Sequence, residues 1–353
     1  MFGLEKPWYI NVGGTQTYAQ PYKMDGTHFY CFLLEANIEN LQNLCDKHLN
    51  QVTQGEIKYI PLIPMVMLGF AHISKGYSLA APFSDYGWMP ENDVAFWVPV
   101  AAVKKVLGIT FIDHIAWYLP YVWVDSPMAT AIGRETWGFY KQQASFNIPT
   151  DFTHDAKLTV DALAVSHFNP DSEFKPLRLL EVTRTDSAMV GSLDKKWQHS
   201  KEGFTDIASI LFGNGSIRLP DLNLIVEVLD MIYHEEIPMV FLKQFRDVEN
   251  GNRACYQAII NSFARMTKFH TGGFLSGDYK AKISNFQSHP IISDLGLTGE
   301  EVDILSAFYV YYDFRLDGGN VVWQAPNSRL EKICNKLSKP FSLLQNLNKL
   351  WRK

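Results

Sequence analysis

The segment Gly133-Arg-Glu-Thr-Trp-Gly-Phe-Tyr-Lys141 sets a lysine among aromatic residues, and Trp137, Phe139 and Tyr140 fit an apolar site. A neutral lysine amine adds to a ketone, expels water and leaves an iminium. The iminium takes up the electrons of a neighbouring bond, whether that bond leads to carbon dioxide, an aldehyde or a proton. An ordinary lysine offers roughly one neutral amine in two thousand at neutral pH, so burial or a neighbouring cation has to lower its pKa. Taken alone, Lys141 reads as an edge-strand lysine reaching water.

Other chemistry-bearing patterns are absent or bland. His72, His114 and His167 sit in mostly apolar runs and read as hydrogen-bonded core residues. His234-Glu235-Glu236 lacks the second histidine of a zinc-protease helix, and neither Gly272-Gly273 nor Gly318-Gly319 continues as a phosphate loop. No Gly-x-Ser-x-Gly elbow occurs. No metal, nucleotide or flavin cofactor is therefore expected.

The elements that must position Lys141 read mainly as strands. Extended runs cover His28–Glu35, Val94–Val103, Ala116–Val124 and Leu158–Val165. Asn37 caps a helix carrying Leu41, Leu44, Cys45 and Leu49 at helical spacing. A helical excursion over about 185–236 holds apolar periodicity at Gly203–Phe212 and Leu222–His234, with a tight turn at Asn214-Gly215 between them. Met239–Arg246 and Arg253–Arg265 form a hairpin across Asn250-Gly251, a pair that tolerates a type I′ turn. Thr298-Gly-Glu-Glu301 is a capping-box pattern that predicts a helix through Val302 and Leu305. Ala307–Phe314 and Val321–Trp323 predict a second hairpin about Asp317-Gly318.

Of the 353 residues, 47% are hydrophobic, enough for a sizeable core. The net charge of -5 gives no sign of nucleic-acid binding. The apolar stretch Val94–Val124 is interrupted by Pro99, Lys104, Lys105, Asp113, His114 and Pro120, so it reads as buried strands rather than a membrane helix. Four cysteines without a CxxC pair, and a start without a basic then apolar leader, point to a reducing, cytoplasmic setting. Residues 329–353 carry seven basic residues and one acid interleaved with leucines, an amphipathic tail. It reads as a helix docked on its own domain; contact with an anionic membrane or a partner is the alternative.

Gly133-Arg-Glu, five residues and then Lys141 resembles, without a gap, the signature of the acetoacetate decarboxylase family. Gln20-Pro-Tyr-Lys-Met-Asp-Gly26, Pro238–Arg265 and Leu297–Trp323 resemble further family segments in the same order, so the likeness spans most of 20–323. It implies an α+β domain over residues 1–328, built on a large curved antiparallel sheet closed like a barrel or double cone, and a homo-oligomer. Lys141 would be the Schiff-base lysine, and Glu91, with Asp93 competing for its place, the site carboxylate for proton transfer or substrate orientation. A glutamate that is merely an exposed turn residue is the alternative. Glu135 would pair with a basic group in support.

The chain departs from the family at three places. Gln142 stands where a second lysine follows the first, and Tyr140 replaces a proline. Gly26-Thr27-His28 lacks the arginine that faces the substrate carboxylate. Adjacent strand residues point to opposite faces, so Gln142 would point away from Lys141. Thr27, His28, Arg134, Trp137 and Tyr140 are the pocket candidates. The implied activity is a lyase (decarboxylase, aldolase or dehydratase) acting on a keto compound other than acetoacetate. The alternative is a non-catalytic ligand-binding barrel.

Overall fold

Along Tyr30–Leu34 the side chains alternate between two apolar clusters. Tyr30, Phe32 and Leu34 enter one cluster, and Cys31 and Leu33 enter the other. A strand whose two faces are both buried must lie between layers. The computed structural model describes residues 6–12, 17–106, 109–149, 157–186, 193–213 and 222–326. The amphipathic tail 329–353 and the Asn214-Gly215 turn lie outside the described residues.

Among the described residues there are fifteen strands: β1 Tyr22–Glu35, β2 Lys58–Pro61, β3 Met65–Ser78, β4 Met89–Val106, β5 Ile109–Val124, β6 Lys141–Asn147, β7 Lys157–Ala164, β8 Lys175–Arg184, β9 Leu193–Lys196, β10 Glu236–Arg246, β11 Ala254–Leu275, β12 Tyr279–Ile283, β13 Glu301–Asp303, β14 Ser306–Leu316 and β15 Asn320–Gln324. The helices are α1 Ile38–Cys45, α2 Gln51–Thr53, α3 Pro127–Ile132, α4 Ser200–Phe212, α5 Leu222–His234 and α6 Ile291–Leu295. Pairing runs β4–β3–β1–β14–β11–β10–β5 and returns to β4, so the strands form a ring. From β5 a branch leaves through β6 to β7, β8, β12 and β13.

Most of the expected elements stand where the sequence placed them. Asn37 Oδ1 accepts from the backbone of Glu39 and Asn40, capping α1 over buried Leu41, Leu44 and Cys45. The interrupted stretch 94–124 is the β4–β5 pair, antiparallel and buried over much of its length. Helices α4 and α5 match the predicted periodicity. The excursion also holds β9, which pairs with β11, so it is not wholly helical.

Three expectations are corrected. The β10–β11 hairpin is present, but no two-residue type I′ turn closes it. Asp247 Oδ1 accepts from Glu249 N and Asn250 N, and neither Asn250 nor Gly251 has positive φ. The Asp247 side chain makes the turn that Asn-Gly was expected to make. The capping-box segment forms no helix: Glu301–Asp303 is a short strand, and Val302 pairs with Ala281 of β12. Burial of Val302 against a sheet edge overrides the local cap signal. Finally, β14 and β15 are no hairpin, because both pair with β11 in the same sense. Residues 317–319 interrupt one continuous strand line, and Asp317 O there accepts from Trp137 Nε1 and Ser262 Oγ. Among the described residues no helix is long and apolar enough to cross a membrane.

Candidate active site

Two features of the Gly133 segment decide where Lys141 points. Ser126 caps α3 and Pro127 opens it. The helix then widens into a π-helical turn over Gly133–Trp137, which Gly138 ends in the left-handed region at φ 93. A Cβ on Gly138 would sit 2.5 Å from Lys243 Cα, so only glycine fits both the φ and the space. Strand β6 begins at Lys141 and runs parallel to β5, with Lys141 beside Val122. A Cβ on Gly133 would lie 2.7 Å from Lys141 Cδ, so the bare glycine leaves the path the lysine stem takes.

Lys141 enters a cavity of about 100 Å³. Tyr22, Ile73, Glu91, Leu119, Met239, Ala264 and Tyr312 line it, one from each strand of the ring, so it lies within the ring. Glu91 and Asp93 are two apart on β4 and point to one side. Lys141 Nζ donates to Glu91 Oε1 at 2.5 Å, and Asp93 Oδ2 lies 3.6 Å from Nζ. The sequence left Glu91 and Asp93 as competitors, and the structure brings both to the lysine. Asn92 between them turns outward, where its N and Nδ2 donate to Asp125 and fix β4 against β5.

The electrostatics depart from the expected lowered lysine pKa. Burial pushes the Lys141 pKa down, but Glu91 and Asp93 outweigh it, and the net direction is up. The amine therefore rests as an ammonium. Burial, with Glu91 adding to it, pushes the Asp93 carboxyl up to about 7, against the pull of Lys141. The part of Asp93 that remains exposed lines the cavity. Burial, then the nearby Asp93, likewise raises the Tyr312 hydroxyl.

Of the pocket candidates, only Trp137 lines this cavity. It is anchored through Asp317 and packs edge-on to Tyr22 at 5.8 Å between centroids. Phe139 joins it, its ring centroid 5.5 Å from Lys141 Nζ. Thr27, His28, Arg134 and Tyr140 do not line it. The Thr27 hydroxyl is buried without a hydrogen-bond partner. His28 lies one residue out of phase with Thr27 and Phe29, and its Nδ1 meets the Tyr309 hydroxyl at 2.7 Å. Arg134 and Tyr140 alternate outward from the Gly133 segment: Arg134 donates to Lys141 O at 3.4 Å, and the Tyr140 hydroxyl accepts from Gln244. Gln142 points away from the cavity, with its Oε1 2.9 Å from His289 Nε2. Glu135 accepts from the Tyr9 hydroxyl, and Lys243 is the basic group that feels its charge. His167 is exposed rather than in the core. Tyr312 was missed in the sequence, where nothing marks it among the neighbouring aromatics of Ala307–Phe314. Among the described residues no cluster of three or more His, Cys, Asp or Glu is placed to hold a metal ion.

No protein-family model and no curated protein matches the sequence. Solved structures do match the fold. An acetoacetate decarboxylase from Legionella pneumophila aligns over 92% of this chain and 94% of its own, with TM-score 0.54 and 16% identity. An acetoacetate decarboxylase-like enzyme from Sphingomonas wittichii aligns over 91% and 100%, with TM-score 0.51 and 11% identity. The enduracididine biosynthesis enzyme MppR, complexed with the condensation product of pyruvate and imidazole 4-carboxaldehyde, aligns over 88% and 92%, with TM-score 0.50 and 11% identity. The chain has the acetoacetate decarboxylase-like α+β fold.

Proposed function

We propose that this protein is a lyase that forms a Schiff base between Lys141 and a keto compound other than acetoacetate. The observation that carries this reading is Lys141, buried in a cavity inside the ring and held at 2.5 Å by Glu91 with Asp93 beside it. Among the neighbours in fold, MppR bound to a pyruvate condensation product supports carbon–carbon chemistry at such a site. The proposal includes the double-cone closure of the ring, a homo-oligomer and a cytoplasmic setting, which the resemblance and the cysteine usage imply.

Lys141 rests as an ammonium, so a proton must leave before the amine can attack. Asp93, with its pKa near neutrality, and Glu91, in direct contact, are the acceptors. The freed Nζ lone pair adds to the carbonyl carbon. One proton passes from the nitrogen to the carbonyl oxygen and the carboxyl returns a second, so the oxygen leaves as water and a C=N⁺ iminium remains. Electrons from a bond at the adjacent α-carbon flow into the iminium as that bond breaks and leave an enamine; the α-carbon then takes up a proton, and hydrolysis of the re-formed iminium returns the lysine.

Because the carbonyl oxygen leaves as water, the enzyme should exchange it with solvent. Incubation of ketones in ¹⁸O-labelled water, read by mass spectrometry, should show exchange far above buffer for the wild type and none for Lys141→Ala. The raised Lys141 pKa favours one second reading, a ligand-binding barrel whose lysine stays protonated. Ligand binding with no exchange at any pH would favour that reading and end the first.

A further inference from the structure

A second cavity, of about 110 Å³, adjoins the lysine cavity, and the two share Phe29, Trp97, Ile237 and Tyr312 as walls. Its cover is α4. Phe204, Ile207, Ala208 and Leu211 recur at helical spacing and all face the space. Trp197 holds the helix down: Gly203 packs directly on its ring, and its Nε1 donates to Asp206 at 2.8 Å. Protein interiors pack with few voids larger than a water molecule. An unfilled apolar space sharing walls with a reactive lysine has the form of a ligand site.

The charges of the two cavities differ. Two carboxylates and one lysine are the only charged side chains among the described residues lining the first, and no arginine is there to meet a substrate carboxylate. Among the described residues no charged side chain lines the second, so a charged group placed there would lose its hydration without compensation. We propose that the substrate is an elongated carbonyl compound without a carboxylate, its carbonyl at Lys141 and its uncharged apolar tail under α4. This rests on the Schiff-base reading and narrows it from a keto compound to a tailed neutral ketone or aldehyde. The helical excursion then has a role: it closes the apolar end of the ring and sets the length of tail admitted.

The test is a homologous series of straight-chain methyl ketones, from acetone upward, trapped on Lys141 with borohydride. Hydride adds to the iminium carbon and leaves a stable secondary amine, which peptide mass spectrometry quantifies. The ketone concentration giving half-maximal labelling should fall about threefold to fourfold per added methylene until the space is full. Ala208→Phe, with Ala208→Leu as the milder variant, should collapse the ratio of long-chain to acetone labelling.

A parallel arm measures binding of the same ketones to Lys141→Met by calorimetry, where no imine can form. Labelling that ignores chain length, or a length dependence that survives both Ala208 variants, overturns the tail site and leaves the Schiff base intact. Length-dependent binding without labelling in the wild type overturns the Schiff base and leaves the tail site. Loss of both overturns both.

Discussion

The segment Gly133–Lys141 has two faces, and they surround different spaces. Gly133, Trp137, Phe139 and Lys141 line the small inner cavity, about 100 Å³, with its carboxylate pair. Arg134 and Tyr140 face an outer cavity of about 400 Å³, where Arg246, Arg253, Gln244 and Gln257 also lie. The outer space is larger and more polar, but it has no buried nucleophile. The inner one joins an amine to two acids away from bulk water. Volume alone points to the outer side; the proposed chemistry needs the inner one.

Substitutions along that contrast should differ by orders of magnitude. Lys141→Ala should abolish carbonyl-oxygen exchange and hydride-trapped label together. It also leaves two buried carboxyls without their cation, and denaturant unfolding should show a loss near the low end of about 3–5 kcal/mol, because Asp93 can take up a proton. Glu91→Gln removes the nearest proton acceptor and should slow exchange by about 10²–10⁴. Gly133→Ala puts a methyl where the Lys141 stem runs and should cost about 10² in exchange rate through a misplaced amine, with the fold intact by circular dichroism.

Asp93→Asn changes pH dependence more than the maximum. If Asp93 takes the lysine proton, the wild-type exchange rate should rise as pH passes about 7, and the variant's rate should lack that step. Stability follows the opposite sign. The folded chain holds the Asp93 proton to about 7, whereas the unfolded group releases it from 3.8 upward. Wild-type stability therefore falls as pH rises across that window. The variant should gain on wild type over the same range, by up to about 4 kcal/mol in denaturant unfolding. Smallest of all, Arg134→Ala and Tyr140→Phe on the outer face should change exchange by less than about threefold, since each loses a single hydrogen bond outside the cavity. A large effect from either would erase the contrast between the faces.

The sequence carried the strands, the capped α1, helices α4 and α5, and the order of segments around Lys141. Local signals failed where a longer-range partner outbid them. Asp247, not Asn250-Gly251, shapes the β10–β11 turn, and the edge of β12 claims the capping-box residues. At the site, the Gly133 spacing marked Lys141, and alternation along β4 explains why Glu91 brings Asp93 with it. Of the four pocket candidates that fell outside, Arg134 and Tyr140 were chosen by nearness to Lys141 in the chain, and Thr27 and His28 by standing where the family has its arginine. Neither is a guide where a π-helical turn and a β1 irregularity between Met24 and Thr27 decide which way a side chain faces. Tyr312 reaches the cavity only because β14 closes the ring beside β1, a fact of pairing rather than of local sequence.

A second lysine gives the most direct test. Burial lowers the pKa of Lys243, with Lys6 adding to the effect and Glu135 opposing it. Its Nζ donates to Thr136 O on the same segment. On intrinsic basicity alone it is the readier nucleophile; on geometry Lys141 is, with its acids in place. Hydride trapping with a neutral ketone, followed by peptide mapping, separates the two. Label is expected on Lys141, absent from Lys141→Ala and retained in Lys243→Met. Label on Lys243 with Lys141 untouched would contradict Lys141 as the nucleophile.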